Sequence, residues 1–311
     1  MKSSAATICS ICGGTMENTT EAYSLKEIFD KWEEQGYAFS ERARDYPPTT
    51  VTTLSTCGRC EYGIFRPTVL GTDLFYQELS RMGSSWYYLP YKWEYQQALS
   101  DLKRGNKVLD IGCGQGFFLE RCQDDGIVAE GIELNANAAA IARAKGFMVY
   151  EQMLDEFSDK HKDHYDAVCL FQVLEHLEKP VDVVSQALKC INPGGLLIIG
   201  VPNMDGILKK MRNLPANVPP HHVSRWTQKS LRSLAAKFDL KMVDIRFEPV
   251  YQHLPGFLQE RFFNRLPSFL KRNKLWLALL YLPSRFLSLI KPKGLESLPG
   301  HTVYAIFKKY K

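Results

Sequence analysis

From Lys107 onwards, short apolar runs alternate with amphipathic segments. Apolar runs bounded by turn residues predict buried strands, and apolar residues at helical spacing predict helices. The predicted strands are 107–111, 127–132, 147–150, 165–171, 195–201, 240–247 and 301–308. The predicted helices are 117–125, 136–145, 180–191 and 227–238, the last with Thr227 as its N-cap. This alternation predicts an α/β fold with a mostly parallel sheet covered by helices.

The pattern before Lys107 is different. Residues 21–44 are charged and compatible with a helix, and residues 67–104 are rich in aromatic side chains and predicted to be helical. We therefore predict a small unit at 1–66, a helical connector at 67–104, and an α/β domain at 105–311. An apolar and basic insertion at 248–300 interrupts the last pair of strands.

The composition indicates where the protein is located and shows that its charge is unevenly distributed along the chain. The 311 residues are 45% hydrophobic and 23% charged, which is usual for a soluble globular protein. The longest apolar run is only 275–282, and no secretory leader is evident, so we expect a cytoplasmic protein. Residues 261–311 hold eleven Lys and Arg but one acidic residue, which predicts an anionic surface or ligand near this end.

Four of the eight cysteines form two pairs with the spacing of zinc ligands. Cys9 and Cys12 make one C-x-x-C pair, and Cys57 and Cys60 make the other. Each pair can hold one side of a tetrahedral Zn²⁺, and four thiolates leave no open position on the ion. The sequence thus predicts a structural zinc site in the N-terminal unit. The other cysteines lie on predicted core elements, where buried thiols are expected.

A glycine-rich turn follows the first strand of the α/β domain. The segment VLDIGCGQG, residues 108–116, places Asp110 at the strand end and Glu133 at the end of the next strand. Glycines let the backbone approach a ligand closely, and an acid after the second strand suits the two hydroxyls of a ribose. Asp110 would repel a pyrophosphate but attract an amino group, which favours S-adenosylmethionine (SAM) over NAD.

The segments VLDIGCGQG, GIELN, FQVLEHLEKP and INPGGLLIIGVPN resemble the ordered motifs of class I SAM-dependent methyltransferases, and the chain is similar to methyltransferase types 11, 12 and 23. The resemblance covers residues 107–203. It implies a Rossmann-like seven-stranded sheet of order 3-2-1-4-5-7-6, with strand 7 antiparallel. It also implies cofactor-binding residues, with the adenine beside Met153 and Leu154. The set is Asp110, Gly112, Cys113, Gly114, Gly116, Glu133, Leu134, Met153, Leu154, Phe171 and Gln172.

The cysteine pairs ahead of this domain, with CGRCEYGIFRP and FYQEL, resemble the layout of bacterial sugar C-methyltransferases. Those enzymes usually carry a further C-terminal domain, whereas this sequence ends at its last predicted strand. Their nucleotide-linked deoxysugar substrate is therefore not carried over.

Histidines follow two strands on the edge where ligands of open α/β sheets bind. His176 follows the fourth strand. His221 and His222 follow the fifth in a loop that also holds Arg225 and Trp226, and we expect this loop to form a wall of the substrate site. We predict that His222 is the general base and that His221 assists it. The sugar C-methyltransferases that the chain resembles carry a Glu-His pair at a similar place. His176 is the next candidate, with a structural hydrogen bond as its alternative role. Tyr87, Tyr88, Trp93 and Tyr95 either cover the site or pack helices on the sheet.

We interpret the chain as a SAM- and zinc-binding methyltransferase for a small or glycan-like metabolite, with an oxygen, carbon or nitrogen acceptor, in polysaccharide or secondary-metabolite synthesis. The alternatives are an RNA methyltransferase with a zinc module and a SAM-binding partner protein without catalysis. Eight acidic residues within 17–45 disfavour nucleic acid. Residues 255–293 interleave Leu, Phe and Trp with Arg and Lys, which predicts helices on the inner face of a membrane or on a lipid-like substrate, or else a helical cap or homodimer contact.

Overall fold

A computed structural model of the chain describes residues 7–47, 49–83, 86–211, 214–252 and 298–310. The strands are β1 (Met16–Ser24), β2 (Val51–Cys57), β3 (Gly63–Arg66), β4 (Lys107–Ile111), β5 (Val128–Ile132), β6 (Val149–Tyr150), β7 (Tyr165–Phe171), β8 (Ile191–Pro202), β9 (Ser224–Arg225), β10 (Lys241–Pro249) and β11 (Pro299–Lys308). The α-helices are α1 (Leu25–Glu34), α2 (Asp73–Met82), α3 (Trp93–Asp101), α4 (Phe117–Asp124), α5 (Ala136–Ala144), α6 (Leu154–Lys160), α7 (Pro180–Cys190) and α8 (Gln228–Lys237). Short 3-10 turns include Leu174–His176 and Pro215–Asn217.

The larger sheet has the strand order β10-β11-β8-β7-β4-β5-β6. Strands β4 to β8 run parallel, and β11 lies antiparallel between β8 and β10. Counted along the large sheet alone, this is the order 3-2-1-4-5-7-6 with an antiparallel seventh strand. The predicted Rossmann-like seven-stranded fold is therefore confirmed.

Helices cover both faces of this sheet, which is why its central strands read as continuous apolar runs. On one face α3 and α4 bury Val108 and Ile198, and on the other α7 and α8 bury Leu109 and Ile199. Thr227 caps α8 as predicted, since its side chain accepts a hydrogen bond from the backbone N–H of Ser230. Helix α6 was not predicted, because its seven residues are too short to show a clear period.

A smaller antiparallel sheet has the order β1-β2-β3-β9. Its first three strands come from the N-terminal part of the chain, whereas β9 comes from beyond residue 220. The expectation of a helix over 21–44 was wrong at its start, because residues 21–24 belong to β1, in which Ala22, Tyr23 and Ser24 pair with β2. The helix itself is shorter and begins after Ser24, which forms a capping box with Glu27. The division of the chain at residues 66 and 104 stays a prediction.

No α-helix in the described ranges is long and apolar enough to cross a membrane. The predicted amphipathic segment 255–293 lies outside the described residues.

Candidate active site

The turn after β4 packs against side chains from two other parts of the chain. Gly112 and Gly114 both have positive φ angles, and each touches a neighbouring side chain closely. A Cβ atom on Gly112 would lie 2.7 Å from Cγ2 of Val173, and one on Gly114 would lie 2.8 Å from the ring of Tyr88. Only glycine fits both positions without displacing these neighbours. Residues 112–116 thus form the predicted turn between β4 and α4, and Gly116 is the N-cap of α4.

Two carboxylates flank this turn. Asp110 is 2% exposed, and its Oδ1 atom has no hydrogen-bond partner among the described residues. Burial raises the pKa of Asp110 well above its ordinary value, so a cationic group beside it would be strongly favourable. Glu133 accepts hydrogen bonds from the backbone N–H groups of Gly114 at 2.8 Å and Asn135 at 2.7 Å. Each carboxylate oxygen keeps a second lone pair, which suits the hydroxyls of a ribose.

The other predicted cofactor residues fall into two groups. Leu134 and Met153 are about three-fifths exposed, at 60% and 58%, although both are apolar. They leave an apolar surface at the ends of β5 and β6, whereas Leu154 beside them is buried. Phe171 packs in the core against Phe118, and Gln172 donates a hydrogen bond from Nε2 to Glu94 at 3.2 Å.

The aromatic residues before β4 divide between the two roles expected of them. Tyr88 covers Gly114 and lines a cleft of about 370 Å³ with Gln115, Asn135 and side chains of α2 and α5. Tyr87 packs near His221, with ring centroids 6.0 Å apart. Tyr95 packs on Phe118 and Phe171, and Trp93 packs on Tyr304, so these two serve the core.

The three predicted histidines lie together. The ring centroids of His176 and His221 are 4.8 Å apart, those of His176 and His222 are also 4.8 Å apart, and those of His221 and His222 are 4.4 Å apart. We call these three residues the histidine cluster. Val173, which touches Gly112, immediately precedes the turn that carries His176, so the start of that turn lies against the glycine turn. Burial lowers the pKa of His176 to about 3 and of His221 to about 4, and the pKa of His222 is also lowered.

Backbone carbonyls fix two of the imidazoles. A carbonyl oxygen only accepts, so the Nδ1 atom of His176 donates to the carbonyl of His221 at 2.7 Å. The Nδ1 atom of His221 likewise donates to the carbonyl of Ala216 at 2.8 Å. Both Nε2 atoms are therefore unprotonated acceptors in neutral imidazoles, and that of His221 is buried without a partner in the described part of the chain. The structural hydrogen bond predicted for His176 is present at Nδ1.

Glu175 lies beside the cluster and was not among the predicted site residues. It is 1% exposed, and neither carboxylate oxygen has a hydrogen-bond partner among the described residues. Its Oε1 atom lies 3.9 Å from Nε2 of His176. Burial raises the pKa of Glu175 to about 8. The one sequence indication was an acid directly before His176, in the short segment that follows β7.

The small sheet supports the histidine loop. The backbone N–H of Phe65 donates to the carbonyl of Val223, and β3 pairs with β9 directly after His222. Arg225 forms a buried ion pair with Glu21 at 2.8 Å, and Trp226 packs on Tyr62. The expectation that Arg225 and Trp226 line the substrate site was wrong, because both side chains are used to join the small sheet to this loop.

The four paired cysteines meet at one end of the small sheet. The Sγ atoms of Cys9 and Cys60 are 3.6 Å apart, and those of Cys12 and Cys57 are 3.4 Å apart. All four lie within 4.8 Å of one another. Tetrahedral Zn²⁺ with Zn–S bonds of about 2.3 Å places its sulfur ligands about 3.8 Å apart, so the set fits this ion. The remaining cysteines, Cys113, Cys122, Cys169 and Cys190, are buried as predicted.

The strand order, the glycine turn and its two acids define a class I SAM-dependent methyltransferase domain. The model of a methyltransferase-domain family matches residues 86–245, which is 160 of the 311 residues. The chain belongs to this methyltransferase family.

Curated relatives match over a shorter region. The ubiquinone biosynthesis O-methyltransferase of Klebsiella pneumoniae is 32% identical over 108 residues, which is 33% of this chain and 45% of that relative. The protein of the same name from Sodalis glossinidius is 30% identical over 105 residues, 32% of this chain and 42% of the relative. The chain thus spans less than half the length of the curated relatives it matches.

Among solved structures, a SAM-dependent methyltransferase from Archaeoglobus fulgidus is 18% identical, with a TM-score of 0.47 over 77% of this chain and 95% of that one. A SAM-dependent methyltransferase from Thermotoga maritima, described as a possible histamine N-methyltransferase, is 15% identical, with a TM-score of 0.48 over 77% and 97%.

Proposed function

We propose that this protein transfers the methyl group of SAM to a hydroxyl oxygen of a small molecule. The observation that carries the proposal is the histidine cluster, whose imidazoles are neutral. His176 of this cluster lies three residues after Val173, and Val173 touches Gly112 of the glycine turn. The O-methyltransferase names of the curated relatives support an oxygen acceptor. A glycan-like metabolite is one such acceptor.

The cofactor would be held by the turn and its acids. Asp110 would face the amino group of the methionine part, Glu133 would bind the ribose hydroxyls, and Leu134 and Met153 would flank the adenine. When bound, SAM supplies an electrophilic methyl group on a sulfonium. The unpartnered Oδ1 of Asp110 is the feature that a bound ammonium would satisfy.

The acceptor's proton would leave at the histidine cluster. We assign this role to His222, because no hydrogen bond engages its ring nitrogens within the described residues and it lies beside both other imidazoles. His176 and His221 use their Nδ1 atoms on carbonyls and hold the site in shape. Alignment of the acceptor oxygen with the methyl group would supply the rest of the acceleration.

The four paired cysteines would hold one structural Zn²⁺. Their sulfur atoms are close enough for tetrahedral coordination, and a four-thiolate shell has no position for a substrate. The zinc therefore serves the fold of the small sheet, and through β9 it supports the histidine loop.

Replacing Glu133 by alanine is expected to weaken binding of SAM about 10- to 150-fold, since a hydrogen bond to a charged group is worth about 1.5–3 kcal/mol. Calorimetric titration with SAM or its demethylated product measures the effect. Glu156→Ala removes an exposed carboxylate on α6 and serves as the matched control, with unchanged affinity expected. Full-strength binding by Glu133→Ala, or no binding by the wild type, would contradict the assignment.

The acceptor class is tested with labelled SAM. Transfer of label to an extract of small metabolites, followed by hydrolysis tests on the product, distinguishes a methyl ether from N- or C-methylation. Label found only on nitrogen or carbon would overturn the proposed oxygen acceptor, and no transfer to any fraction would overturn the proposed activity.

A further inference from the structure

The neighbourhood of Glu175 holds an excess of buried acceptor atoms with no donor among the described residues. Both oxygens of Glu175 and Nε2 of His221 are buried without partners, and Nε2 of His176 lies 3.9 Å from Glu175. We propose that Glu175, His176 and His221 bind a divalent transition-metal ion, separate from the zinc held by the cysteines.

The imidazoles are already set for coordination. A metal ligand needs a free lone pair on one ring nitrogen, and the other nitrogen usually donates to a carbonyl or carboxylate that fixes the ring. His176 and His221 both have this arrangement, with Nδ1 on a backbone carbonyl and Nε2 without a hydrogen bond to any described residue. Such carbonyl bonds orient a ring whether or not a metal is present, so it is the unpaired Nε2 atoms that indicate a ligand.

The distances are close to those of a metal site. One ring nitrogen from each of the three histidines lies within 4.8 Å of the others, and Oε1 of Glu175 lies 3.9 Å from Nε2 of His176. Two atoms that each lie about 2.1 Å from one ion are at most about 4.2 Å apart, so a shift of less than about 1 Å brings them within reach. Two imidazoles and a carboxylate favour zinc, iron, cobalt or manganese over magnesium or calcium, which prefer oxygen ligands.

His222 is left out of the ligand set for a geometric reason. Its ring is stacked on that of His221, with 18° between the planes and 4.4 Å between the centroids. The lone pair of an imidazole nitrogen lies in the plane of the ring, so one ion cannot sit in both of these stacked planes. The ring of His176 is inclined at 75° to His221, which allows their lone pairs to converge.

Glu175 is the residue that most needs a cation. A buried carboxylate without a partner is costly, and replacing its lost hydration takes a charge or several donors. The backbone N–H of Glu175 itself and the more distant charge of Lys92 favour the charged form, and the charge of Glu94 opposes it, but no other residue in the described ranges donates a hydrogen bond to this carboxylate. A bound divalent ion would satisfy this carboxylate and the two Nε2 atoms together.

The use of the ion rests on the proposed function, whereas its binding does not. Three protein ligands leave positions open on the ion, and the acceptor's hydroxyl oxygen would occupy one of them. Coordination lowers the pKa of a hydroxyl, so its proton passes more easily to His222. The oxygen then forms its bond to the methyl carbon as the bond from that carbon to sulfur breaks, leaving S-adenosylhomocysteine.

The metal is counted first, without any substrate. Full-length protein with zinc in its cysteine site is dialysed against Co²⁺ or Mn²⁺ and analysed for metal content. We expect a second ion per chain, with Co²⁺ giving ligand-field bands but no thiolate charge-transfer band. A content that stays at one ion per chain after exposure to Co²⁺, Mn²⁺, Fe²⁺ and excess Zn²⁺ would overturn the proposal.

Variants then locate the ion. Glu175→Gln keeps the shape of the side chain and should weaken Co²⁺ binding at least 10-fold, and His221→Ala should abolish it, while both keep the cysteine-bound zinc. His164→Ala, an exposed histidine, is the control and should bind Co²⁺ normally. Unchanged Co²⁺ affinity in a folded Glu175→Gln protein would place the ion elsewhere.

The two proposals fail separately. Stoichiometric Co²⁺ binding without methyl transfer to any acceptor would remove the proposed activity and keep the metal site. Methyl transfer at full rate by protein shown to hold only zinc on its cysteines would remove the ion's proposed role in the reaction and keep the activity, whereas the metal count decides whether the ion binds.

Discussion

Replacing His222 by alanine is expected to lower turnover by about 100- to 10,000-fold, which is the usual worth of a general base. Affinity for SAM should stay at the wild-type value, because the turn and Glu133 that would hold the cofactor belong to other elements. The rate is measured at saturating acceptor once the acceptor is known. Calorimetry with S-adenosylhomocysteine gives the affinity on the same preparations.

Two comparisons make this result specific to proton transfer. His164→Ala removes an exposed imidazole and should keep full turnover. His222→Gln keeps a polar side chain of similar length, but an amide cannot accept a proton at neutral pH. Its turnover should therefore resemble that of His222→Ala. Wild-type turnover in either His222 variant would show that this histidine is only part of the wall of the site.

Removal of the metal from Cys9, Cys12, Cys57 and Cys60 is expected to unfold the small sheet and abolish turnover. Structural zinc sites contribute roughly 10–16 kcal/mol of folding free energy in small zinc-binding peptides, which is as large as the net stability of a whole domain, even though α1, α2 and the small sheet also bury an apolar cluster. The loss should reach the active site, because β9 pairs with β3 immediately after the histidine loop. Binding of S-adenosylhomocysteine should survive better than turnover, since the larger sheet has its own core.

This prediction is tested by limited proteolysis and metal analysis before and after treatment with a strong chelator. Cys57→Ser should reproduce the effect of the chelator, whereas Cys190→Ala, in the core of the larger domain, should keep its zinc. A protein that lacks metal, resists proteolysis before residue 66 and turns over normally would contradict the structural role.

Much of the α/β domain followed from the sequence. The predicted strand 107–111 and strand 165–171 have those bounds in the structure, because both are apolar runs closed by turn residues and buried on both faces. The strand order came from the resemblance rather than from periodicity. The N-terminal strands were missed, since β1 and β2 are rich in Thr and Ser, β1 also holds two Glu, and neither segment shows an alternation of apolar and polar residues.

Local sequence alone determined the chemistry available at each position. The cysteine spacing, the glycine turn, the acids at positions 110 and 133, and the histidines after two strands are all visible in the printed chain. Each motif depends on residues close together in sequence, so no knowledge of packing was needed to find it.

Only the tertiary structure decided which of these groups meet. It placed His176 against His221 across 45 residues, joined β9 to the cysteine-bearing sheet, and buried Glu175 with no partner among the described residues. It also assigned Arg225 and Trp226 to holding the two sheets together, although the sequence had suggested the substrate site. The physical reason is that burial and pairing between distant segments depend on how the two sheets pack, and periodicity within one segment carries no information about its partner.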